Sequence, residues 1–281
     1  DVNALVHLAN SFDSPIELLE AVDRVNIRQK QVLPRKVKAH FGADLKGKYS
    51  SAIMGAAATA VATDWKRATL GVPGMNYSTL LQRSTDWATY AAVMDPAYPS
   101  DADRQLVFGL LQMLWDRGEA GGYVQHLTSN PYPKTPEHQV ILAVAFGDHQ
   151  VAPVTAENMA RMLKIPFHEP SLADGRDPRE EPLWGLDPIT DYPADGSALF
   201  YWDSGALAPP PGNVSPTMSD EWIDTCSSLS EDEVDADAKC ADPHEDPRRA
   251  IGFVTQKQTF FETGTIIDPC GGEPCRAKPT G

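Results

Sequence analysis

The sequence predicts an α/β fold in which helices flank a parallel sheet. Residues 140 to 145 form an apolar run with β-branched side chains that is followed by Gly147 and Asp148, and Thr155 then begins a helix. This order is typical of a buried parallel strand that delivers a carboxylate to its carboxyl end. Residues 197 to 202 predict a further strand. Because open α/β sheets keep their chemistry at the carboxyl ends of strands, we expect Asp148 to lie at the functional edge.

The alternation of helices and strands begins in the first half of the chain. Apolar residues behind Ser14 and Pro15 recur at helical spacing, which predicts a helical or cap segment within residues 1–48. Small side chains predict a buried helix over residues 52–62, and residues 67–74 predict a short buried strand. Apolar side chains on one face predict a helix over residues 103–115 that ends at nearby glycines.

The second half of the chain alternates surface segments with predicted core. Residues 166–196 are rich in Pro, Asp and Gly and predict a surface excursion, residues 206–246 predict loops, and Pro247 begins a final helix. We expect one domain over residues 1–281. Its parts are a cap segment over 1–48, core strands and helices over 49–205, and a histidine loop, C-terminal helix and disulfide-stapled tail over 206–281.

Composition and charge exclude several classes of function. The formal net charge is -15 and the pI is about 4.8, which opposes binding to nucleic acid and to anionic lipid surfaces. No run approaches the roughly 18 apolar residues that a membrane-spanning helix needs. The chain begins at Asp1 without the pattern of an export signal, so we expect such a signal to have been removed or never included.

The four cysteines form two pairs that are close in sequence, Cys226 with Cys240 and Cys270 with Cys275. Neither pair has Cys-x-x-Cys spacing, and no histidine cluster accompanies them as a zinc site would require. Disulfides are therefore favoured over free thiols, and they indicate a secreted or extracytoplasmic protein.

Three residues could form the catalytic set of a serine hydrolase. Ser50 lies in a tight turn before the small-residue helix, and Asp148 and His244 follow it in the order nucleophile, acid, base. Each has an ordinary alternative: a helix cap for Ser50, a turn cap for Asp148 and a solvated loop residue for His244. We expect the other six histidines to be solvated. They are His7, His40, His126, His138, His149 and His168.

Two further features leave alternatives open. The acidic segment over residues 231–246 could bind Ca²⁺, although it lacks the alternating ligands and glycine of a Ca²⁺ loop, and a solvated acidic loop is the default. Several aromatic side chains could line a pocket for an apolar acyl group or belong to the core. They are Trp87, Tyr90, Trp115, Trp202 and Trp222.

Several motifs resemble a group of large secreted or lipoprotein-type bacterial α/β-hydrolases of serine esterase or lipase type. The resemblance runs from about residue 50 to the C-terminus. Its motifs are Ile53-Met-Gly-Ala-Ala, Leu70-Gly-Val-Pro-Gly-Met-Asn-Tyr-Ser-Thr-Leu-Leu, Gln112-Met-Leu-Trp-Asp-Arg-Gly-Glu, Gly147-Asp-His-Gln-Val, Asp242-Pro-His-Glu-Asp-Pro-Arg and Cys270-Gly-Gly-Glu-Pro-Cys. The resemblance implies that Asp148 is the triad acid and His244 the triad base.

The chain departs from this group in two ways. An ungapped match places Tyr49 where the serine belongs, and Ser50 fits after a slip of one residue. Fewer than 50 residues precede this turn, so we expect the N-terminal strands of the sheet to come from another segment or a second chain. The sequence predicts an esterase that needs no cofactor or metal, takes an ester or lipid substrate and uses the Ser51 backbone N–H in its oxyanion hole. The alternative is a catalytically degenerate scaffold that serves as a binding or assembly subunit.

Overall fold

The structure is a computed structural model and describes residues 53–278. The strands are β1 (Arg67–Gly71), β2 (Gln139–Ala145), β3 (Ala194–Asp195), β4 (Ala198–Trp202) and β5 (Thr265–Ile266). The helices are α1 (Ile53–Ala60), α2 (Tyr77–Leu80), α3 (Trp87–Ala97), α4 (Asp101–Trp115), α5 (Pro153–Leu163), α6 (Asp220–Cys226), α7 (Glu231–Ala236), α8 (Asp246–Arg249) and α9 (Ile251–Thr263). Short 3₁₀ helices occupy Leu81–Arg83, Ala120–Gly122, Val124–His126, Pro216–Met218 and Pro243–Glu245.

A parallel sheet of three strands in the order β1-β2-β4 forms the centre. Leu70 of β1 lies opposite Leu142 of β2, and Leu142 lies opposite Leu199 of β4. The predicted α/β class with a parallel sheet is therefore confirmed. Within residues 53–278, β1 has a partner strand on one edge only, and the predicted cap segment lies outside the described residues.

The two faces of the sheet pack against different helices, because alternate residues of a strand point to opposite faces. Leu142 of β2 lies in one core cluster with Ala56 of α1 and Met159 of α5. Ile141, its neighbour, lies in the other cluster with Phe253 of α9. Burial on both faces explains why the strands read as continuous apolar runs.

The predicted loop region over residues 206–246 is wrong in two places, because α6 and α7 interrupt it. The Ser219 side chain caps α6, and Ser230 and Glu233 form a capping box at the start of α7. A Ser followed three residues later by Glu is a recognised helix start. Five acidic residues of this segment thus lie in the first turns of these two helices, where negative charge is favourable. They are Asp220, Glu221, Glu231, Asp232 and Glu233.

Two disulfides are present, and both predicted pairings are confirmed. Cys226 and Cys240 are joined at a Cα separation of 5.7 Å, and Cys270 and Cys275 at 5.2 Å. The first bond fastens the end of α6 to the chain just before Asp242. Among the described residues, no helix is both long enough and apolar enough to cross a bilayer.

The excursion over residues 166–196 is fastened to the core by buried charges. Arg179 forms two hydrogen bonds to Glu157 of α5, at 2.7 and 3.0 Å, and also contacts Asp177. Arg176 forms two bonds of 2.9 and 3.0 Å to Asp203, which is buried just after β4. The segment is not wholly a surface excursion, because Phe167 is buried and forms a parallel bridge with Leu199 of β4. The arginines fasten the part that follows.

Candidate active site

Asp148 lies at the carboxyl edge of the sheet, just after β2, and is 1% exposed. The chain turns there at Gly147, whose φ of 85° favours glycine. A Cβ atom at Gly147 would lie 2.6 Å from the carbonyl oxygen of Leu207. Glycine is therefore required at this position both for its backbone conformation and for the close approach of the neighbouring chain.

His244 lies in the 3₁₀ helix Pro243–Glu245, whose N-cap is Asp242. Its Nδ1 atom is 2.9 Å from Oδ2 and 3.0 Å from Oδ1 of Asp148. Both side chains are buried, and 96 positions separate them in the chain. The structure thus brings together two of the three residues that the sequence proposes as a catalytic set.

The Asp148 carboxylate also has the ordinary role that the sequence leaves open. Its Oδ1 atom accepts hydrogen bonds from the backbone N–H groups of Gln150 and Val151, each at 2.8 Å. These bonds cap the turn after β2 and fix the orientation of the carboxylate. Oδ2 faces His244, so turn capping and contact with the imidazole coexist in one side chain.

The surrounding hydrogen bonds assign the imidazole proton of His244 to Nδ1. Nδ1 faces a carboxylate, which accepts, whereas Nη2 of Arg248 donates to Nε2 at 3.2 Å. Arg248 also pairs with Glu245 one turn earlier. Nε2 therefore carries its lone pair, which is the state that a general base requires.

Burial and nearby charges shift the pKa values of this pair in ways that can be separated. Burial raises the pKa of the Asp148 carboxyl, and the hydrogen bond and charge of His244 oppose that rise. Burial alone would lower the pKa of His244, but the hydrogen bond to Asp148 and the charges of Asp148 and Asp242 outweigh it and raise the pKa. The charge of Arg248 acts in the lowering direction.

Ser50 and Ser51 lie outside the described residues. The helix that was predicted to follow them is present as α1. Ser50 as the nucleophile and the Ser51 N–H as the oxyanion donor therefore remain predictions from the sequence.

The expectation of solvated histidines is wrong for His138, His149 and His168, which are at most 4% exposed. His168 bonds Tyr192 and the Glu273 carbonyl oxygen through its two ring nitrogens. His126 is half-buried and contacts the Asn130 carbonyl oxygen. His7 and His40 lie outside the described residues. Burial in the core encloses these imidazole rings, although histidines in loops are on average exposed to solvent.

Sequence reasoning missed two polar residues that contact His244, namely Asp242 and Arg248. Asp242 carried a readable signal, since Asp before Pro at the start of a helical turn is a common N-cap. Arg248 carried none, because its contact arises only once α8 forms one turn beyond His244. Both belong to the site on geometric grounds.

The aromatic residues proposed for a pocket have different environments. Trp202 is 1% exposed and packs on Phe253, whereas Tyr90 is 60% exposed. Trp87 packs on Phe108 within the α3–α4 hairpin, and Trp222 donates to the Cys240 carbonyl oxygen at 3.2 Å. Trp87 also stacks on Tyr90, and Trp115 packs on the same Phe108 ring. Among the described residues, no ring contact joins Trp202 or Trp222 to this cluster.

A cavity of about 770 Å³ lies at the opposite, amino edge of the sheet. It is lined by the chain around Arg67, Gln139 and Ser197, where the three strands begin. The Asp148–His244 pair lies beyond the other ends of the strands, so this cavity does not serve it.

Metal-ligand side chains converge once within residues 53–278, at His168, Cys270 and Cys275. The two cysteines are bonded to each other, and both ring nitrogens of His168 already have hydrogen-bond partners. These donors are therefore occupied and do not fit a metal. In the acidic segment before His244, the described side chains form no comparable ligand group.

Comparisons of the chain with protein-family models, with curated proteins and with solved structures give no match. Function is therefore inferred from the residues of the site.

Proposed function

We propose that the protein is a serine hydrolase acting on carboxylic esters, with Asp148 as acid, His244 as base and Ser50 as nucleophile. The observation that carries this proposal is the buried hydrogen bond between Asp148 and Nδ1 of His244 at the carboxyl edge of a parallel sheet. A carboxylate on Nδ1 keeps the lone pair on Nε2, the atom that takes the serine proton in a Ser-His-Asp triad.

Each residue has a defined step in the proposed reaction. Ser50 Oγ attacks the acyl carbon while Nε2 of His244 takes its proton, and His244 returns this proton to the departing alkoxide. Water then hydrolyses the acyl-enzyme with the same base. Asp148 orients the imidazole and stabilises its cation, and the Ser51 N–H contributes about 3 kcal/mol to stabilising the oxyanion.

The order of elements supports an α/β-hydrolase-like scaffold. The acid follows the middle strand, β2, and the base follows β4 after a long loop. The chain order of nucleophile, acid and base is the order used by that fold. The two disulfides support a location outside the cytoplasm, where such bonds persist.

A second candidate function is a binding or assembly subunit that keeps the scaffold without catalysis. Lys48 and Tyr49 favour it, because the motif of a nucleophile turn calls for a small residue two positions before the serine. Arg248 also favours it, because its guanidinium occupies the lone pair of Nε2 that must accept the serine proton. Catalysis requires Arg248 to leave that atom.

Hydrolysis of a short-chain nitrophenyl ester and labelling by a fluorophosphonate test the proposal. We expect Asp148→Asn to lower kcat by about 10⁴-fold and His244→Ala to remove most activity, because both disable the base. Asp237→Asn is the matched control, since Asp237 also accepts the N–H two residues ahead, at 2.9 Å, but its side chain is exposed and makes no hydrogen bond to Asp148 or His244.

Peptide mass spectrometry of the labelled protein identifies the nucleophile. We expect the adduct on Ser50, lost in Ser50→Ala and kept in Ser51→Ala. A native protein that hydrolyses no ester and takes up no probe would contradict the esterase proposal and favour the binding subunit.

A further inference from the structure

One carboxylate outside the Asp148–His244 pair binds both of the turns that carry it. Oδ1 of Asp242 accepts the backbone N–H of His149 and the backbone N–H of His244, each at 3.1 Å. Oδ2 of Asp242 accepts the side-chain amide of Gln150 at 2.8 Å. The two turns are 93 positions apart in the chain, measured from His149 to Asp242.

We propose that Asp242 is a positioning residue of the site, which holds the turn of Asp148 and the turn of His244 in the register that their hydrogen bond requires. The geometric part of this inference stands on the contacts alone, whereas its catalytic meaning rests on the proposed function. Asp242 touches neither reacting atom, so its effect passes through the two residues that it positions.

The contacts of Asp242 complement those of Asp148. Asp148 is tied to its own turn by the N–H groups of Gln150 and Val151. Asp242 accepts hydrogen bonds from His149 and Gln150 in the same turn, and it accepts one from the backbone N–H of His244 in the other turn. A backbone N–H group from each of the two turns is thus bonded to the same oxygen atom, Oδ1 of Asp242. An N–H···O⁻ bond to a carboxylate is stronger than one to a neutral acceptor, so the Asp242 carboxylate holds the two turns together firmly.

The charge of Asp242 also acts on the imidazole of His244. Asp148 and Asp242 raise the pKa of His244, while burial and Arg248 lower it, and Glu245 pairs with Arg248. Burial lowers the pKa of the adjacent His149, which is therefore neutral near pH 7. An Asn at position 242 would keep an acceptor for both backbone N–H groups, and the Gln150 amide could turn to accept from it. This substitution removes the charge and retains the shape.

Two variants of the full chain separate charge from contact. We expect Asp242→Asn to lower the pKa of His244, because it removes one of the two negative charges that raise it. The acidic limb of the pH–rate profile should move to lower pH by the same amount. Asp242→Ala loses both N–H contacts as well, and a misplaced base should lower kcat by about 100-fold. Asp237→Asn is the control for removing an exposed acidic charge.

The pKa of His244 is measured by NMR titration of its ring, which does not require activity, and thermal unfolding reports whether each variant folds. An unchanged pKa in Asp242→Asn, together with a wild-type rate in Asp242→Ala, would overturn the positioning role. If Asp242→Ala does not fold, Asp242→Asn alone decides through the titration. A wild-type protein without esterase activity whose His244 pKa still falls in Asp242→Asn sinks the proposed function and supports the positioning role. Esterase activity in the wild-type protein, with an unmoved His244 pKa in Asp242→Asn and a wild-type rate in Asp242→Ala, supports the proposed function and overturns the positioning role.

Discussion

The buried cluster around Glu157 gives a quantitative prediction for Arg179→Met. Glu157 is fully buried in α5, and its carboxylate accepts two hydrogen bonds from Arg179 and one from the Tyr201 hydroxyl. Burial alone lowers the pKa of Arg179, but the bonds to Asp177 and Glu157 outweigh it and raise the pKa, so the guanidinium is charged. Removing the guanidinium leaves a buried carboxylate without its main partner.

The expected cost follows from what remains around the carboxylate. Breaking a buried ion pair by removing one partner costs about 3–5 kcal/mol. Two features reduce this value here: the Arg179 side chain is 33% exposed, and Arg161 stays near Glu157 at 3.4 Å. We therefore expect a loss of about 2–3 kcal/mol in the free energy of unfolding, or roughly 5–10 °C in Tm for a chain of this size.

Urea and thermal unfolding of the wild-type protein and three variants measure this effect. Arg249→Met removes an exposed arginine and should change stability by less than about 0.5 kcal/mol. The double variant Glu157→Gln with Arg179→Met should be more stable than Arg179→Met alone, because it no longer buries an unpaired charge. A loss below about 1 kcal/mol in Arg179→Met, or a double variant that is less stable than it, would refute the reasoning.

Three further predictions concern the site and its supports. Replacing Cys226 and Cys240 by Ala should cost about 3 kcal/mol in the chain-entropy model, and replacing Cys270 and Cys275 should cost less because the loop is shorter; urea unfolding compares them. Burial lowers the pKa of His149 from 6.5, so the folded state binds fewer protons than the unfolded state, and the free energy of unfolding should fall as the pH drops below about 6.5. His149→Gln should flatten this dependence on pH. An unchanged slope would contradict burial of His149 as its cause. Arg248→Gln removes a positive charge beside Nε2, so the pKa of His244 should rise in an NMR titration; a fall would show that the contact does not persist in solution.

The sequence predicts those parts of the fold that local pattern determines. The β-branched run before Gly147 corresponds to β2, and the apolar face of residues 103–115 lies within α4. The helix α3 has no such signal, because none of its residues is buried and Pro96 lies inside it. The ladder of β3 with β5 spans two residue pairs, too few for a period to emerge.

The site divides in the same physical way. Asp148 and His244 could be paired from their chain order and strand context alone. The contact of Asp242 with His149 could not, because it joins segments that only the packed structure brings together. The burial of histidines such as His138 could not be predicted either, because it depends on the residues that pack around the loop and not on the sequence of the loop itself.

The separation of Asp148 from His244 in the chain has a consequence for how the protein acquires its site. Their hydrogen bond joins the turn after β2 to the turn that follows β4, and it closes a loop of 96 positions. Contacts of such long range form late during folding, because the entropy of closing the loop is lost before the contact can compensate. We therefore expect the Asp148–His244 contact to form after the local helices during refolding. Re-formation of the Asp148–His244 contact on refolding therefore reports that the whole sheet has formed, whereas a measurement of secondary structure content does not.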